Sequence, residues 1–269
     1  MSGVLIAAAL ALAPSTQVPL DTGPAAQIED NSFLIEEAYN QERGVVQHIS
    51  ALSWSSGAHS WAYTFTQEWP LGGQRDQLSY TLPILHAAGT RLGDVGINYR
   101  RQVVGTSGPI SFAPRLTILA PTGRVAAGAG AGGVGFQVNL PLSAVVAPWL
   151  VTHGNAGVTV TPSAANGAGA HATATAVNLG ASAIWRLMPT IHLMLEVAWS
   201  RTEAVAGPGV TSAERQLFLS PGVRWAHNFD NGLQIVPGIA FPFGVGPSRG
   251  DDLVFVYLSF EHPFRHVRS

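Results

Sequence analysis

QLFLSPGVRWAHNFDNGLQIVPGIAFPF, residues 216–243, reads as two alternating runs on either side of a tight turn. Leu217, Leu219, Pro221, Val223 and Trp225 alternate with Gln216, Ser220, Gly222 and Arg224, and Phe218 alone departs from the polar face. After Asp230-Asn231-Gly232, the residues Leu233, Ile235, Pro237, Ile239 and Phe241 alternate with Gln234, Gly238 and Ala240. Period-two alternation around a short Asn-Gly turn predicts a β-hairpin. Each arm is about ten residues long, beyond the usual soluble strand and suited to a tilted strand crossing a bilayer. Small and polar residues occupy the face where a soluble sandwich would place its core. The reading is a transmembrane β-barrel.

Composition agrees. Of 269 residues, 11% are charged and 46% hydrophobic, against roughly a quarter charged in a soluble domain. No internal run approaches the ~18 apolar residues of a membrane helix. A barrel spreads its hydrophobicity over alternate positions. The net charge of −2 offers no basic field for nucleic acid. Cysteine is absent, which excludes disulfides, iron–sulfur clusters and thiol catalysis.

The N-terminus has an apolar core over residues 4–13 that ends in Ala11-Leu12-Ala13, like a secretory signal peptide without its basic start. A signal is expected over residues 1–20, a periplasmic leader or plug over 21–44, a barrel over 45–264 and a tail over 265–269. Within the leader, QIEDNSFLIEEAYNQE (27–42) reads as a short helix capped by Asp30 or Asn31. It is too short to stand alone, so it is expected to plug the barrel or dock at its periplasmic mouth. Phe33, Glu36, Glu37 and Tyr39 are the candidate plug residues.

Further strand candidates fall at residues 45–54, 60–69, 77–85, 94–103, 110–119, 134–140, 147–161, 174–187, 191–200 and 253–264. In the second, Trp61, Tyr63, Phe65 and Trp69 alternate with Ala62, Thr64, Thr66 and Glu68; aromatics near both ends resemble an interfacial girdle. The fold class is therefore all-β: a single antiparallel barrel of about 12 strands, within a range of about 10–14, with a short N-terminal helical segment. Long connections are expected at 121–133, 162–171, 201–213 and 244–252, and short ones at 188–190 and 228–232. The last strand alternates back from Phe264 through His262, Phe260, Leu258, Val256 and Val254, like a barrel-insertion signal. Pro83, Pro114, Pro221 and Pro237 argue against unbroken ladders.

Several phrases resemble a bacterial outer-membrane transporter family of the "meta-pathway of phenol degradation" type. They are residues 30–41 (DNSFLIEEAYNQ), Leu92-Gly93-Asp94-Val95 with Tyr99-Arg100, and Ala113-Pro114-Arg115-Leu116 through Pro121-Thr122-Gly123. Gln137-Val138-Asn139-Leu140-Pro141, Ser220-Pro221-Gly222-Val223-Arg224-Trp225 and Ser259-Phe260-Glu261-His262-Pro263-Phe264 complete the set. The resemblance spans nearly the whole mature chain. It implies an outer-membrane barrel and, through the family label, a hydrophobic or aromatic solute; it carries no catalytic residues.

Chemical motifs are weak by comparison. GAGAGGVG satisfies a dinucleotide glycine spacing, yet it leads into a strand and lacks the acid about twenty residues on. His192 and Glu196 share one inward face about 13 Å apart, too far for a direct pair. No metal-ligand spacing occurs among the nine histidines, and no Ser–His–acid set is marked. No cofactor, metal or catalytic residue is expected.

The constellation that remains is the lumen lining: Glu68, Asp94 and Glu196 against Arg100, Arg115, Arg186 and Arg224, with Asn98, Asn139, Asn178, His192, Gln216 and Gln234. Arginine at mid-bilayer costs roughly 2–4 kcal/mol, so these side chains must face inward. Either they pair and fill the barrel, or they line a polar pathway. The expected function is passive passage of a small solute. The alternatives are a non-conducting scaffold for a periplasmic or surface partner, and an outer-membrane lipid-modifying enzyme. Outer-membrane lipid is the expected surroundings. The aromatics on alternate strand positions are expected to face it.

Overall fold

The computed structural model describes residue 28 and residues 32–105, 107–229 and 233–263. The signal segment, the Asp30/Asn31 cap, the Asp230-Asn231-Gly232 turn, Phe264 and the tail lie outside the described residues.

Period-two sequence becomes a closed antiparallel sheet. Its principal strands are β1 (Val45–Ser55), β2 (Ser60–Pro70), β3 (Asp76–His86) and β4 (Val95–Arg101). Then come β5 (Arg115–Ala120), β6 (Gly135–Ala147), β7 (Leu150–Ala165) and β8 (His171–Met188). The circuit ends with β9 (Ile191–Gly207), β10 (Val210–Trp225), β11 (Gln234–Ala240) and β12 (Leu253–Pro263). Each pairs with its sequence neighbours, and β12 returns to β1 with Val45 opposite Pro263 and Ser55 opposite Leu253. Short pairings at Thr90–Leu92, Ile110–Phe112, His227–Asn228 and Phe243–Gly244 extend the sheet.

The two faces separate by chemistry. Ile97, Leu116, Ile118 and Phe136 are half exposed on the outside, whereas Asn98, Arg100, Arg115 and Asn139 are buried within. A contiguous apolar exterior is stable only against lipid.

Two expectations for the connections fail. Residues 162–165, 201–207 and 210–213 are strand, joined by a turn at 166–170 and by Pro208-Gly209, where Gly209 has a φ of 70°. These ends of β7–β10 lack an apolar face, so their sequence resembles loop. The long connections at 121–134 and 245–252 hold only short 3₁₀ turns at Val125–Ala127 and Gly246–Ser248.

The prolines sit where ladders stop. Between β10 and β11 the regular pairing covers only Gly222–Ala240, Val223–Ile239 and Arg224–Gly238. Pro221 and Pro237 flank it, and the Phe241 N–H donates to the Pro221 carbonyl at 3.0 Å. Ala113-Pro114 separates Ile110–Phe112 from β5. Missing N–H donors thus coincide with interruptions in pairing.

Candidate functional site in the barrel lumen

The N-terminal segment lies inside the barrel. Residues 32–41 are all buried although none belongs to a strand. At one end, the Ile28 N–H donates to the Pro189 carbonyl beside the β8–β9 turn. Ser32 meets Ser182 of β8 at 2.6 Å, and the chain bends at residues 33–35 and at Ala38. It leaves toward β1 at the same mouth.

The helix expected over 27–42 is not present in its described part, residues 32–42. The reason is a change of hydrogen-bond partner. The N–H groups of Phe33, Leu34 and Ile35 converge on one carboxylate oxygen, Glu196 Oε1, at 3.0, 2.9 and 3.3 Å. Ala38 N–H donates to Ser143 Oγ, Asn40 N–H to Gln102 Oε1 and Gln41 N–H to Gln77 Oε1. Wall side chains accept the Ala38, Asn40 and Gln41 N–H groups, which a helix would have paired internally, and Glu196 gathers donors from what would have been the first turn.

Two different surfaces hold the turn. On one side Phe33, Leu34 and Ile35 pack with Ile49, Ile184, Met194, Phe255 and Tyr257 in an apolar cluster. The rings of Phe255 and Tyr257 lie 5.5 and 5.2 Å from that of Phe33. A Cβ at Gly238 would overlap the Phe33 ring, and one at Gly180 would overlap Ile35. Sequence reading, which sent the strand aromatics toward lipid, missed these luminal ones. The inward parity of Phe255 and Tyr257 beside Val254 and Val256 was the available signal.

The other side is charged. Arg100 (2% exposed) contacts Glu36 Oε1 at 3.2 Å and Glu68 Oε2 at 3.5 Å, and its Nε donates to Asn40 Oδ1. Arg115 reaches Glu36 Oε2 at 3.5 Å and donates to Gln137. Asn139 donates to Glu36 and to Asn155, and Asn155 donates to the Glu36 carbonyl. Gln77 donates to Glu68. Glu36 is therefore the point where β4, β5 and β6 meet the segment.

The remaining candidates occupy other levels. His192 and Arg224 face one another at 3.1 Å on β9 and β10. Asn98 bonds Ser79 and Thr117 across β3–β5, and Asn178 reaches Asn139 at 3.4 Å. Asp94 accepts from the Gly123 and Ala131 N–H groups and so ties down the 121–134 connection. Arg186 lies toward the mouth near the β8–β9 turn and donates to the Pro148 carbonyl. Tyr39 meets His153 edge-on, and His153 shares a 2.7 Å hydrogen bond with the Ser143 hydroxyl that also accepts from Ala38. That Ser–His contact is part of the segment's seat.

Beyond the segment, toward the far mouth, Leu34 and Ile35 form one side of a pocket with Phe218, Leu253 and Phe255. Asn178 and Gln216 supply part of its polar lining. Phe218, which broke the polar alternation of β10, is thus a pocket residue. Among the described residues, no cluster of three or more His, Asp or Glu side chains could hold a metal ion.

The sequence matches no protein-family profile. No curated protein matches it either. Solved structures do resemble the barrel. An outer-membrane channel from Pseudomonas putida F1 aligns at a TM-score of 0.58 and 11% identity, over 84% of this chain and 97% of that one. The NanC porin aligns at 0.54 and 7%, over 81% and 100%. The KdgM porin aligns at 0.51 and 8%, over 81% and 99%. At such identities the likeness is one of fold, and the fold is that of outer-membrane porins and channels.

Proposed function

We propose that this barrel gives passive passage across a bacterial outer membrane to a small, uncharged, partly apolar solute, and that residues 32–44 are a plug within its pathway. The observation that carries this reading is the complete burial of residues 32–41 inside a closed barrel without strand pairing. The pathway is the lumen, and Glu68, Asn98, Arg100, Arg115, Asn178, His192, Glu196 and Arg224 would line it once the plug moves. The chain enters on the periplasmic side, so the pocket above Leu34 and Ile35 would receive solute from outside.

The class of solute follows from what the pocket above the segment offers. A KdgM porin structure is described with oligogalacturonate, an acidic sugar chain. Here the pocket above the segment has, among the described residues, no Arg, Asp, Glu or His in its lining, so it offers no charge to match an anionic cargo. The pocket instead offers Phe218, Leu253 and Phe255 with amide groups beside them, the mixture that binds compact apolar molecules with a polar handle. The resemblance to the phenol-degradation family supports the same class.

Liposome swelling with the refolded protein tests the solute. A small phenol is expected to enter faster than an acidic sugar of similar size. Phe218→Asp should slow the phenol about tenfold, equivalent to ~1.4 kcal/mol of lost partition into the pocket. Equal rates for both solutes, or no effect of Phe218→Asp, would contradict the assignment.

A scaffold remains the second reading, because ion pairs do bridge the lumen. Those involving Glu36, however, join wall to segment rather than wall to wall.

A further inference from the structure

Glu37 follows Glu36 in the luminal turn, and its surroundings are different. Its carboxyl is fully buried, and neither Oε1 nor Oε2 has a hydrogen-bond partner. Arg100 Nη1 approaches the Glu37 backbone carbonyl at 3.4 Å. That guanidinium is engaged with the Glu36 and Glu68 carboxylates, and Arg115 is engaged with Glu36. The cluster therefore sets three carboxyl groups against two fixed positive charges. An unpaired, water-excluded carboxyl is accommodated in its neutral form. Burial pushes the Glu37 carboxyl well above the usual carboxylate range; Arg100 and the residue's own backbone N–H oppose the rise, while Glu68 and Glu36 add to it.

We propose that seating residues 32–44 in the lumen takes up one proton, held on Glu37, so that the segment is fixed at low pH and loosened as pH rises. The proposal rests on the reading of this segment as a movable plug. Outside the lumen Glu37 would titrate near the ordinary value of about 4.3. Below that value both forms carry the proton, and pH leaves the docking equilibrium unchanged. Between that value and the raised, docked one, the docking constant falls by up to about tenfold per pH unit. Above the docked value it levels off.

The groups facing Glu37 divide by element. Glu36 belongs to its own segment, Glu68 to β2, Arg100 to β4 and Arg115 to β5; His153 of β7 lies against Tyr39. Arginines do not titrate in this range. Glu36 is held by both guanidinium groups and by Asn139. Glu68 is held by its wall partners Arg100 and Gln77. The substitutions at Glu37 do not remove His153 or its contacts with Ser143 and Tyr39.

Amide hydrogen exchange of residues 32–41 in the full-length refolded protein, corrected for the intrinsic rate, reads docking directly. Between about pH 5 and pH 8, protection in the wild type should fall by up to about tenfold per unit. Glu37→Gln should keep protection high and nearly flat, and Glu37→Leu should do the same, with heat-modifiable gel mobility reporting barrel folding. Flat protection in the wild type, or an unchanged slope in both variants, would overturn the proposal. Conductance on the same samples separates the two ideas. Falling protection without rising conductance would leave the proton linkage standing and remove the plug reading.

Discussion

Glu196→Ala is expected to unseat the luminal segment while leaving the barrel folded. One carboxylate oxygen accepts the N–H groups of Phe33, Leu34 and Ile35, and Glu196 is fully buried. Each buried N–H left without an acceptor costs about 1–3 kcal/mol. Relief of the desolvated carboxylate offsets part of this loss. A net weakening of about 3 kcal/mol would lower the docking constant roughly a hundredfold. The readout is hydrogen-exchange protection at residues 33–35, which should collapse toward the intrinsic rate. Glu196→Gln keeps an acceptor oxygen in place and should retain most of the protection. Unchanged protection in Glu196→Ala would mean that the apolar contacts of Phe33 and Ile35 suffice to hold the segment.

The second large effect is expected at Arg100. Its guanidinium joins Glu36 of the segment to Glu68 of β2 and also donates to Asn40. Removing one partner of a buried ion pair typically costs about 3–5 kcal/mol, because the other charge stays buried. Arg100→Ala should therefore lower the unfolding temperature of the barrel and loosen residues 36–41. A double variant, Arg100→Ala with Glu68→Gln, should recover part of the loss, since it removes one of the stranded carboxylates. A double-mutant cycle on thermal unfolding measures that coupling. Strict additivity of the two changes would show that Arg100 and Glu68 do not interact in energy.

The barrel was legible in the sequence because a lipid-facing wall imposes apolar residues at every second position. Ile191, Leu193, Leu195, Val197 and Trp199 alternate with His192, Met194, Glu196, Ala198 and Ser200, and that pattern alone orients β9. Legibility ended where the lipid ends. The outer parts of β8–β10, such as Thr211-Ser212-Ala213, have no apolar face to mark them as strand.

The leader misled for another reason. Its glutamates and Leu-Ile pair suit a helix, but its N–H groups find acceptors on Glu196, Ser143, Gln102 and Gln77, far away in the chain. No local window contains those partners. The glycine seat was equally hidden. Gly222 and Gly238 read as small inward residues, and their use, with that of Gly180, as space for Phe33 and Ile35 becomes visible only in three dimensions. Among the site residues, Glu36, Arg100 and Arg115 could be named from parity and resemblance, whereas their convergence depends on the depth to which the segment enters.

Single-channel conductance in a planar bilayer, recorded for the refolded intact protein and for a form lacking residues 27–42, tests the pathway most directly. The intact protein should conduct weakly or intermittently, and the deleted form should show a steady, much larger conductance. Silence in the deleted form, with a folded barrel by heat-modifiable gel mobility, would contradict a luminal pathway and favour the scaffold.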